Sequence, residues 1–107
     1  MTLVGLPEFH CLATLDCGHA VVAVSGELDL STASELSRSL AEVLDHRPDD
    51  ITLDLAGLRF IDSSGLALLA RTTKTLRDHQ GTLRLVHPTP PVRRVLEIVG
   101  LDVLLVA

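Results

Sequence analysis

Residues 60–66 read FIDSSGL, and this stretch joins an apolar segment to a long amphipathic one. Asp62, Ser63 and Ser64 are residue types that accept hydrogen bonds from the free amides of a first helical turn. Apolar residues then recur with the 3.6-residue period of a helix, so we predict a helix over 64–79. A serine hydroxyl at such a start is exposed and lies at the positive end of the helix dipole. The predicted inward face contains Leu66, Leu69, Ala70, Thr73 and Leu76.

The composition of this 107-residue chain bounds its size and its partners. The length supports a single domain with one modest aliphatic core. Two Phe and no Trp or Tyr leave little surface for stacking on bases, and a net charge of −5 opposes binding to a phosphate backbone. No transmembrane stretch or secretory signal pattern is present. We therefore expect a cytoplasmic protein without direct contact to nucleic acid or membrane.

Upstream of this stretch, the sequence predicts a hairpin and a helix. Residues 8–15 alternate and 20–25 form a nearly continuous apolar run, with a turn at 16–19 between the two strands. Thr32 and Glu35 fit a capping box, which predicts the start of a helix. The inward face of that helix contains Ala33, Leu36, Leu40, Val43 and Leu44.

Further strands flank residues 60–66. Residues 51–55 alternate strictly and predict a strand, whereas 56–60 predict a loop. Residues 82–86 predict the next strand, again with alternate apolar positions.

A third helix and a short strand end the predicted order. Thr89 and two prolines mark the helix start, and Gly100 supplies its left-handed C-terminal position. Residues 103–106 predict a last strand. The order β-β-α-β-α-β-α-β requires parallel, right-handed crossovers after the first hairpin. The predicted fold class is a two-layer α/β domain over about 8–107, with a mixed, mostly parallel sheet and helices mainly on one face.

Two cysteines and two histidines form the pattern H-C-x5-C-x-H near the N-terminus. The spacing matches no usual zinc pattern, and His10 and Cys11 point to opposite faces of the predicted strand. We therefore predict that both cysteines are free, with Cys11 in the apolar phase of the first strand and Cys17 in the turn, and that the protein holds no metal or other cofactor.

An enzymatic role for the serines lacks support in the sequence. A nucleophilic Ser63 or Ser64 would need a histidine or lysine base oriented by a third group, and no recognisable arrangement of this kind occurs. The nucleophile-elbow pattern, the P-loop and the dinucleotide fingerprint are all missing from the sequence. We predict that the protein is not an enzyme.

Capping alone and a site for phosphate remain as alternatives for the two serines. Two hydroxyls and a carboxylate exceed the needs of one cap. Leu28, Leu30 and Phe60 are expected to bring apolar side chains to the same edge of the sheet. An apolar rim around a hydroxyl that can be phosphorylated suits a switchable interface.

Taken together, these residues resemble a STAS domain and, more narrowly, the bacterial anti-sigma factor antagonists. The resemblance rests on GELD at 26–29, the strand ending in Leu55, FIDSSGL at 60–66 and Gly-Leu at 100–101, and it covers almost the whole chain. In that family the serine directly after the aspartate is the phosphorylation site, which is Ser63 here. The chain departs from the family at Ala67, where many members have glycine.

The resemblance implies a monomeric antagonist that switches partners. The unphosphorylated form binds an anti-sigma factor with serine kinase activity and so releases a sigma factor, and phosphorylation at Ser63 ends that binding. A PP2C-type phosphatase removes the phosphate. The partner-binding residues so implied are Leu28, Asp29, Asp62, Ser64 and Gly65. A STAS scaffold or sensory protein that is never phosphorylated, and a module that binds a small ligand, remain as alternatives.

Overall fold

The computed structural model describes residues 9–106, which form a four-stranded sheet and three α-helices. The strands are β1 (His10–Asp16), β2 (His19–Leu28), β3 (Asp50–Ile61) and β4 (Thr82–Val86). The helices are α1 (Leu30–Asp45), α2 (Ser63–Asp78) and α3 (Pro90–Val99), followed by a 3-10 turn (Leu101–Leu104). Residue 8, which belongs to the predicted first strand, lies outside the described residues. Within 9–106, no helix is both long enough and apolar enough to cross a bilayer.

The strands lie in the order β1-β2-β3-β4. β1 and β2 form an antiparallel hairpin, whereas β2, β3 and β4 run parallel to their neighbours. Helices connect the parallel strands, as the crossover rule requires. The predicted mixed α/β fold is therefore confirmed.

One face of the sheet is covered and the other is open. Along β2 the buried residues Ala20, Val22 and Val24 alternate with exposed ones, and Val21 is 42% exposed. The core also receives residues from each helix, among them Leu36, Leu40, Leu69, Leu76, Val92 and Leu96. The alternate apolar residues of the strands and the apolar faces of the helices thus pack together in one core layer.

β2 and β3 extend further than their apolar alternation predicts. Ala23 pairs with Asp54, but Ser25 pairs with Gly57, and a second shift occurs after Gly26. β3 therefore holds one extra residue at each of two bulges. The segment 56–60, predicted as a loop, is the end of this strand, because the bulges interrupt its period of two.

The buried face of α2 is rotated by about one position from the prediction. Ala70 is exposed and Thr73 is half-buried. The predicted face is correct at Leu69 and Leu76, which are buried, and at Leu66, which is half-buried and packs against the core. The residues that the helix buries are Gly65, Leu68, Leu69, Thr72 and Leu76. The Thr72 hydroxyl donates to Leu68 O at 2.8 Å, which explains how a polar residue is accommodated in the core.

The prediction of a full last strand at 103–106 is wrong. Gly100, with φ of 81°, turns the chain out of α3 into the 3-10 turn, whose Leu101 and Leu104 pack against the core. Their spacing of three matches a 3-10 period. Only Leu105 forms a bridge, parallel to Leu85 of β4.

The two cysteines lie in the first strand and in the hairpin turn. Cys17 is exposed in the hairpin turn, and Cys11 is only partly buried. Both are free, as predicted. Among residues 9–106, no group of three or more His, Cys, Asp or Glu side chains is arranged to hold a metal ion.

Gly65, in the first turn of α2, lies unusually close to the ends of β2 and β3. A Cβ atom at this position would lie 2.7 Å from Leu28 Cγ and 2.8 Å from Ile61 Cγ1. These atoms belong to side chains that are 1% and 3% exposed, so they have little space to move. Only glycine allows the helix start to lie this close to the strand ends.

We expect Gly65→Ala to lower the free energy of unfolding by roughly 1–3 kcal/mol through overpacking. This loss should exceed the gain of about 1 kcal/mol that alanine brings to a helix interior. The matched control is Ala67→Gly, an exposed position two residues further along α2, which should lose only the propensity term. Urea unfolding measures both variants, and a Gly65→Ala protein more stable than the parent would contradict the close contact.

Candidate functional site

Two helices begin side by side at one edge of the sheet. Leu28, the last residue of β2, pairs with Ile61, the last residue of β3. The amide of Asp62 donates to Leu28 O at 3.0 Å and ties the two strand ends together. Asp29 and Asp62 therefore follow neighbouring strand ends, and each is the N-cap of the next helix.

Asp29, and not Thr32, is the N-cap of α1. The Asp29 carboxylate accepts from the Thr32 amide at 3.1 Å, and the Asp29 amide donates to Thr32 Oγ1 at 2.9 Å. This reciprocal pair is a capping box, and it starts the helix earlier than the predicted box of Thr32 and Glu35. The sequence pattern Asp-x-x-Thr at 29–32 is the feature that indicates this capping box. Thr32 also donates to Glu27 O at 2.8 Å and so connects the helix start to β2.

The Asp29 carboxylate is held in its ionised form by hydrogen bonds. The Ser31 hydroxyl donates to Oδ1 at 2.7 Å, and the Ser31 and Thr32 amides donate to the same oxygen. The Ser31 hydroxyl is the main cause that lowers the pKa of Asp29 below its ordinary value of 3.8; desolvation, the next largest effect, acts in the opposite direction, and the hydrogen bonds from Thr32 and the Ser31 amide lower the pKa further. The edge therefore carries a fixed negative charge at neutral pH.

Asp62 is the N-cap of α2 and makes similar hydrogen bonds. Its Oδ1 accepts from the Ser64 amide at 2.8 Å and from the Gly65 amide at 3.3 Å. The cap is therefore the aspartate, and neither serine hydroxyl serves this role. Ser64 is half-buried and continues the first turn, while Gly65 is buried beneath it.

Ser63 is the first residue of α2, and it is exposed. Within residues 9–106, its hydroxyl makes no hydrogen bond to another residue. The residue lies at the positive end of the helix dipole, where an anion is favoured. The hydroxyl is therefore accessible from solvent at a position that favours an added negative charge.

Two large apolar side chains border the helix starts. Leu30 is 79% exposed and Phe60 is 47% exposed. Leu28 was expected on this rim, but it is 1% exposed and packs beneath Gly65 in the core. The strand period explains this burial, because Leu28 continues the inward phase of Val22 and Val24. Leu28 therefore supports the site from below and does not form part of its surface.

Comparisons with known proteins agree with this arrangement. The family model described as "Mlab, STAS domain" matches residues 12–107. An anti-sigma F factor antagonist of Paenibacillus polymyxa is 34% identical over 85 residues, which cover 78% of this chain and 73% of that protein.

Two solved structures share the fold. The crystal structure of an anti-sigma factor antagonist from Mycobacterium paratuberculosis gives a TM-score of 0.80 at 34% identity, covering 89% of this chain and 80% of that one. The anti-sigma factor antagonist SpoIIAA in its unphosphorylated form also gives 0.80, at 24% identity, over 92% and 86% of the two chains. This second likeness concerns the fold alone.

The capping geometry predicts that substitutions at Asp62 and at Ser64 change the free energy of unfolding by different amounts. We expect Asp62→Ala to lose roughly 0.5–2 kcal/mol of unfolding free energy, since two amides lose their acceptor. Ser64→Ala should change it by less than about 0.5 kcal/mol, because the hydroxyl caps nothing. Asp62→Asn is the control, since its amide oxygen still accepts. Urea unfolding of the three variants decides the matter, and a larger loss for Ser64→Ala would show that the serine is the cap.

The lowered pKa of Asp29 predicts a contribution to stability that depends on pH. A carboxyl whose pKa is lower in the folded than in the unfolded protein stabilises the fold above its unfolded pKa, near 3.8. That contribution is lost as the pH falls through the folded pKa. Asp29→Asn keeps the capping oxygen but removes the charge. The difference in unfolding free energy between this variant and the parent should therefore become smaller as the pH is lowered.

Carboxyl NMR titration together with urea unfolding at neutral and acid pH measures this effect. An Asp29 pKa at or above 3.8, or a stability difference that does not change with pH, would contradict the assignment.

Proposed function

The chain belongs to the STAS domain family, and we propose that it acts within that family as an anti-sigma factor antagonist. Its unphosphorylated form binds an anti-sigma factor that is also a serine kinase, and the sigma factor held by that protein is released. Phosphorylation of Ser63 ends the binding, and a PP2C-type phosphatase restores it. The cycle takes place in the cytoplasm, and the chain itself catalyses no step.

The observation that carries this proposal is the exposed Ser63 hydroxyl at the start of α2, outside the hydrogen bonds that cap the helix. In the phosphorylation step, Ser63 Oγ attacks the γ-phosphorus of an ATP bound to the partner. The bond between that phosphorus and the bridging oxygen breaks, ADP leaves, and the serine proton passes to a base of the partner. ATP and the base belong to the kinase, so this chain needs no cofactor.

Phosphorylation costs the free protein little. A phosphoserine adds about 1.5 to 2 negative charges near neutral pH. At Ser63 these charges remain hydrated and face the helix N-terminus, which favours an anion by roughly 0.3–1 kcal/mol. The Asp62 cap acts through a different side chain and stays in place. We therefore expect the phosphorylated protein to keep the same fold.

The same charges oppose the complex. The partner would cover Leu30 and Phe60, the apolar side chains that border Ser63. Asp29 and Asp62 already place two carboxylates at this edge, and the added phosphate would have to be desolvated beside them. Leaving a charge unpaired in an interface costs on the order of 2–5 kcal/mol, or roughly thirty- to several-thousand-fold in affinity. Desolvation and charge repulsion are sufficient to end the binding.

The two aspartates offer the partner a defined polar contact. Within residues 9–106, the capping hydrogen bonds of both carboxylates use Oδ1. The second oxygen of Asp29 and of Asp62 is then available to donors of the kinase, while the capping bonds hold both side chains in fixed rotamers. Asp29 and Asp62 thereby help to position the partner over Ser63.

We expect Ser63→Ala to take up no phosphate and to keep its affinity for the kinase. Ser64→Ala, the matched control one residue away, should still be phosphorylated. Ser63→Asp should bind the kinase more weakly than the parent but more tightly than the phosphoprotein, since it carries one charge on a shorter side chain.

Each variant is incubated with ATP and the purified anti-sigma factor kinases of the source organism, followed by intact mass and calorimetry. Phosphate on Ser64 would reverse the assignment. Tight binding of all forms would place the interface elsewhere, and no phosphate with any kinase would favour the scaffold alternative.

A further inference from the structure

A pocket of about 270 Å³ opens where α1 and α2 end, at the opposite end of α2 from Ser63. Its floor is apolar, since Pro48 and Leu76 are buried and Leu44 is half-buried. A helix of 16 residues is about 24 Å long, so the pocket lies about that far from Ser63. Small-molecule sites begin at roughly 300 Å³, and this pocket is therefore suited to a compact ligand with an apolar part.

Backbone hydrogen bonds hold the two walls of the pocket together. The Asp49 amide, after α1, donates to Gly18 O in the hairpin turn at 2.8 Å. The Thr82 amide, after α2, donates to Asp49 O at 3.2 Å, and the Gly81 amide donates to Leu76 O at 2.6 Å. The pocket is thus formed before a ligand binds, which lowers the entropic cost of binding.

The rim of the pocket contains charges of both signs that do not neutralise each other. Arg47 contributes a guanidinium, His79 an imidazole and Asp78 a carboxylate. Within residues 9–106, none of these three side chains makes a hydrogen bond or an ion pair. Asp50, by contrast, pairs with His19 at 2.9 Å. Opposite charges that line one pocket without pairing are each available to a different group of the same ligand.

Two residues of the rim adopt a backbone conformation that glycine usually takes. Arg47 and Gln80 follow the C-caps of α1 and α2, and their φ angles are 52° and 64°. At the end of α3, Gly100 takes the left-handed conformation. Left-handed residues other than glycine are strained, and such strain clusters at ligand-binding sites. Both positions nevertheless carry a long polar side chain, and both residues line this pocket.

We propose that this pocket binds the zwitterion of a small α-amino acid with a branched apolar side chain. The Arg47 guanidinium binds the carboxylate of the ligand through paired N–H donors, the geometry that suits a planar carboxylate. Asp78 accepts hydrogen bonds from the ammonium group. The side chain of the ligand packs on Leu44, Pro48 and Leu76. Because the rim carries both signs, an ion of one sign alone makes only part of these contacts.

Titration with L-leucine and three analogues tests each contact separately. Leucinamide lacks the carboxylate, isocaproate lacks the ammonium group and glycine lacks the apolar side chain. Two-dimensional amide NMR spectra of the full chain follow each titration at neutral pH. We expect L-leucine to shift the amides of 44–49 and 76–82 in a saturable manner. Each analogue should bind at least about tenfold more weakly, because each loses one charged or apolar contact.

Substitutions on the rim separate ligand contacts from folding. Arg47→Asn removes the guanidinium but leaves a residue that tolerates a positive φ, and Arg47→Gly also relieves the strain. Both variants should bind L-leucine about tenfold more weakly, while the melting temperature of the free protein does not fall. Asp78→Asn should weaken binding by a similar factor. The matched control is Arg38→Gln, at an exposed position of α1 outside the pocket, which should bind like the parent.

Three results would overturn the proposal. The first is the absence of a saturable shift at 44–49 and 76–82 up to the solubility limit of L-leucine. The second is equal binding of L-leucine and its three analogues, which would show that the pocket does not recognise a zwitterion. The third is unchanged affinity in Arg47→Asn and Asp78→Asn. None of these results depends on a kinase or on phosphate, so they leave the proposed function of Ser63 unaffected.

Discussion

The close packing of Gly65 against Leu28 and Ile61 is the contact on which the site depends. It brings the first turn of α2 within van der Waals contact of the ends of β2 and β3. The hydrogen bond from the Asp62 amide to Leu28 O fixes the same point along the backbone. A larger residue at 65 would push the helix start outward and move Ser63 away from the α1 cap. The core therefore supports the site directly, because the buried Leu28 lies beneath the residues that a partner would contact.

Much of this arrangement follows from the sequence, because local signals and burial agree. Strict alternation located the first part of β3, the Thr-Pro-Pro start located α3, and Gly100 marked the end of α3. Asp62 and the residues after it identified the start of α2 within one residue. The segments around Leu28 and Phe60 were also expected at the same end of the sheet, and the pairing of Leu28 with Ile61 places them there.

The parts that sequence could not supply depend on contacts between distant residues. Two bulges carry β3 on to Ile61 after its period of two has ended at Leu55, and only the pairing with β2 shows this. The choice between two overlapping capping patterns at 29–35 depends on Thr32 reaching Glu27 O, a bond to the preceding strand. Similarly, Leu28 and Leu30 differ in burial because one ends a strand and the other begins a helix.

The division of roles between Asp62 and Ser63 has a consequence for the lifetime of the protein in the cell. The residue that holds the helix start is not the residue proposed to be modified, so modification leaves the cap intact. Both forms should then unfold at similar rates and present equally few openings to proteases. If phosphorylation inactivates the protein as proposed, inactive molecules would accumulate without faster degradation. In the proposed cycle, dephosphorylation would reactivate these molecules faster than new synthesis could replace them, because no chain has to fold again.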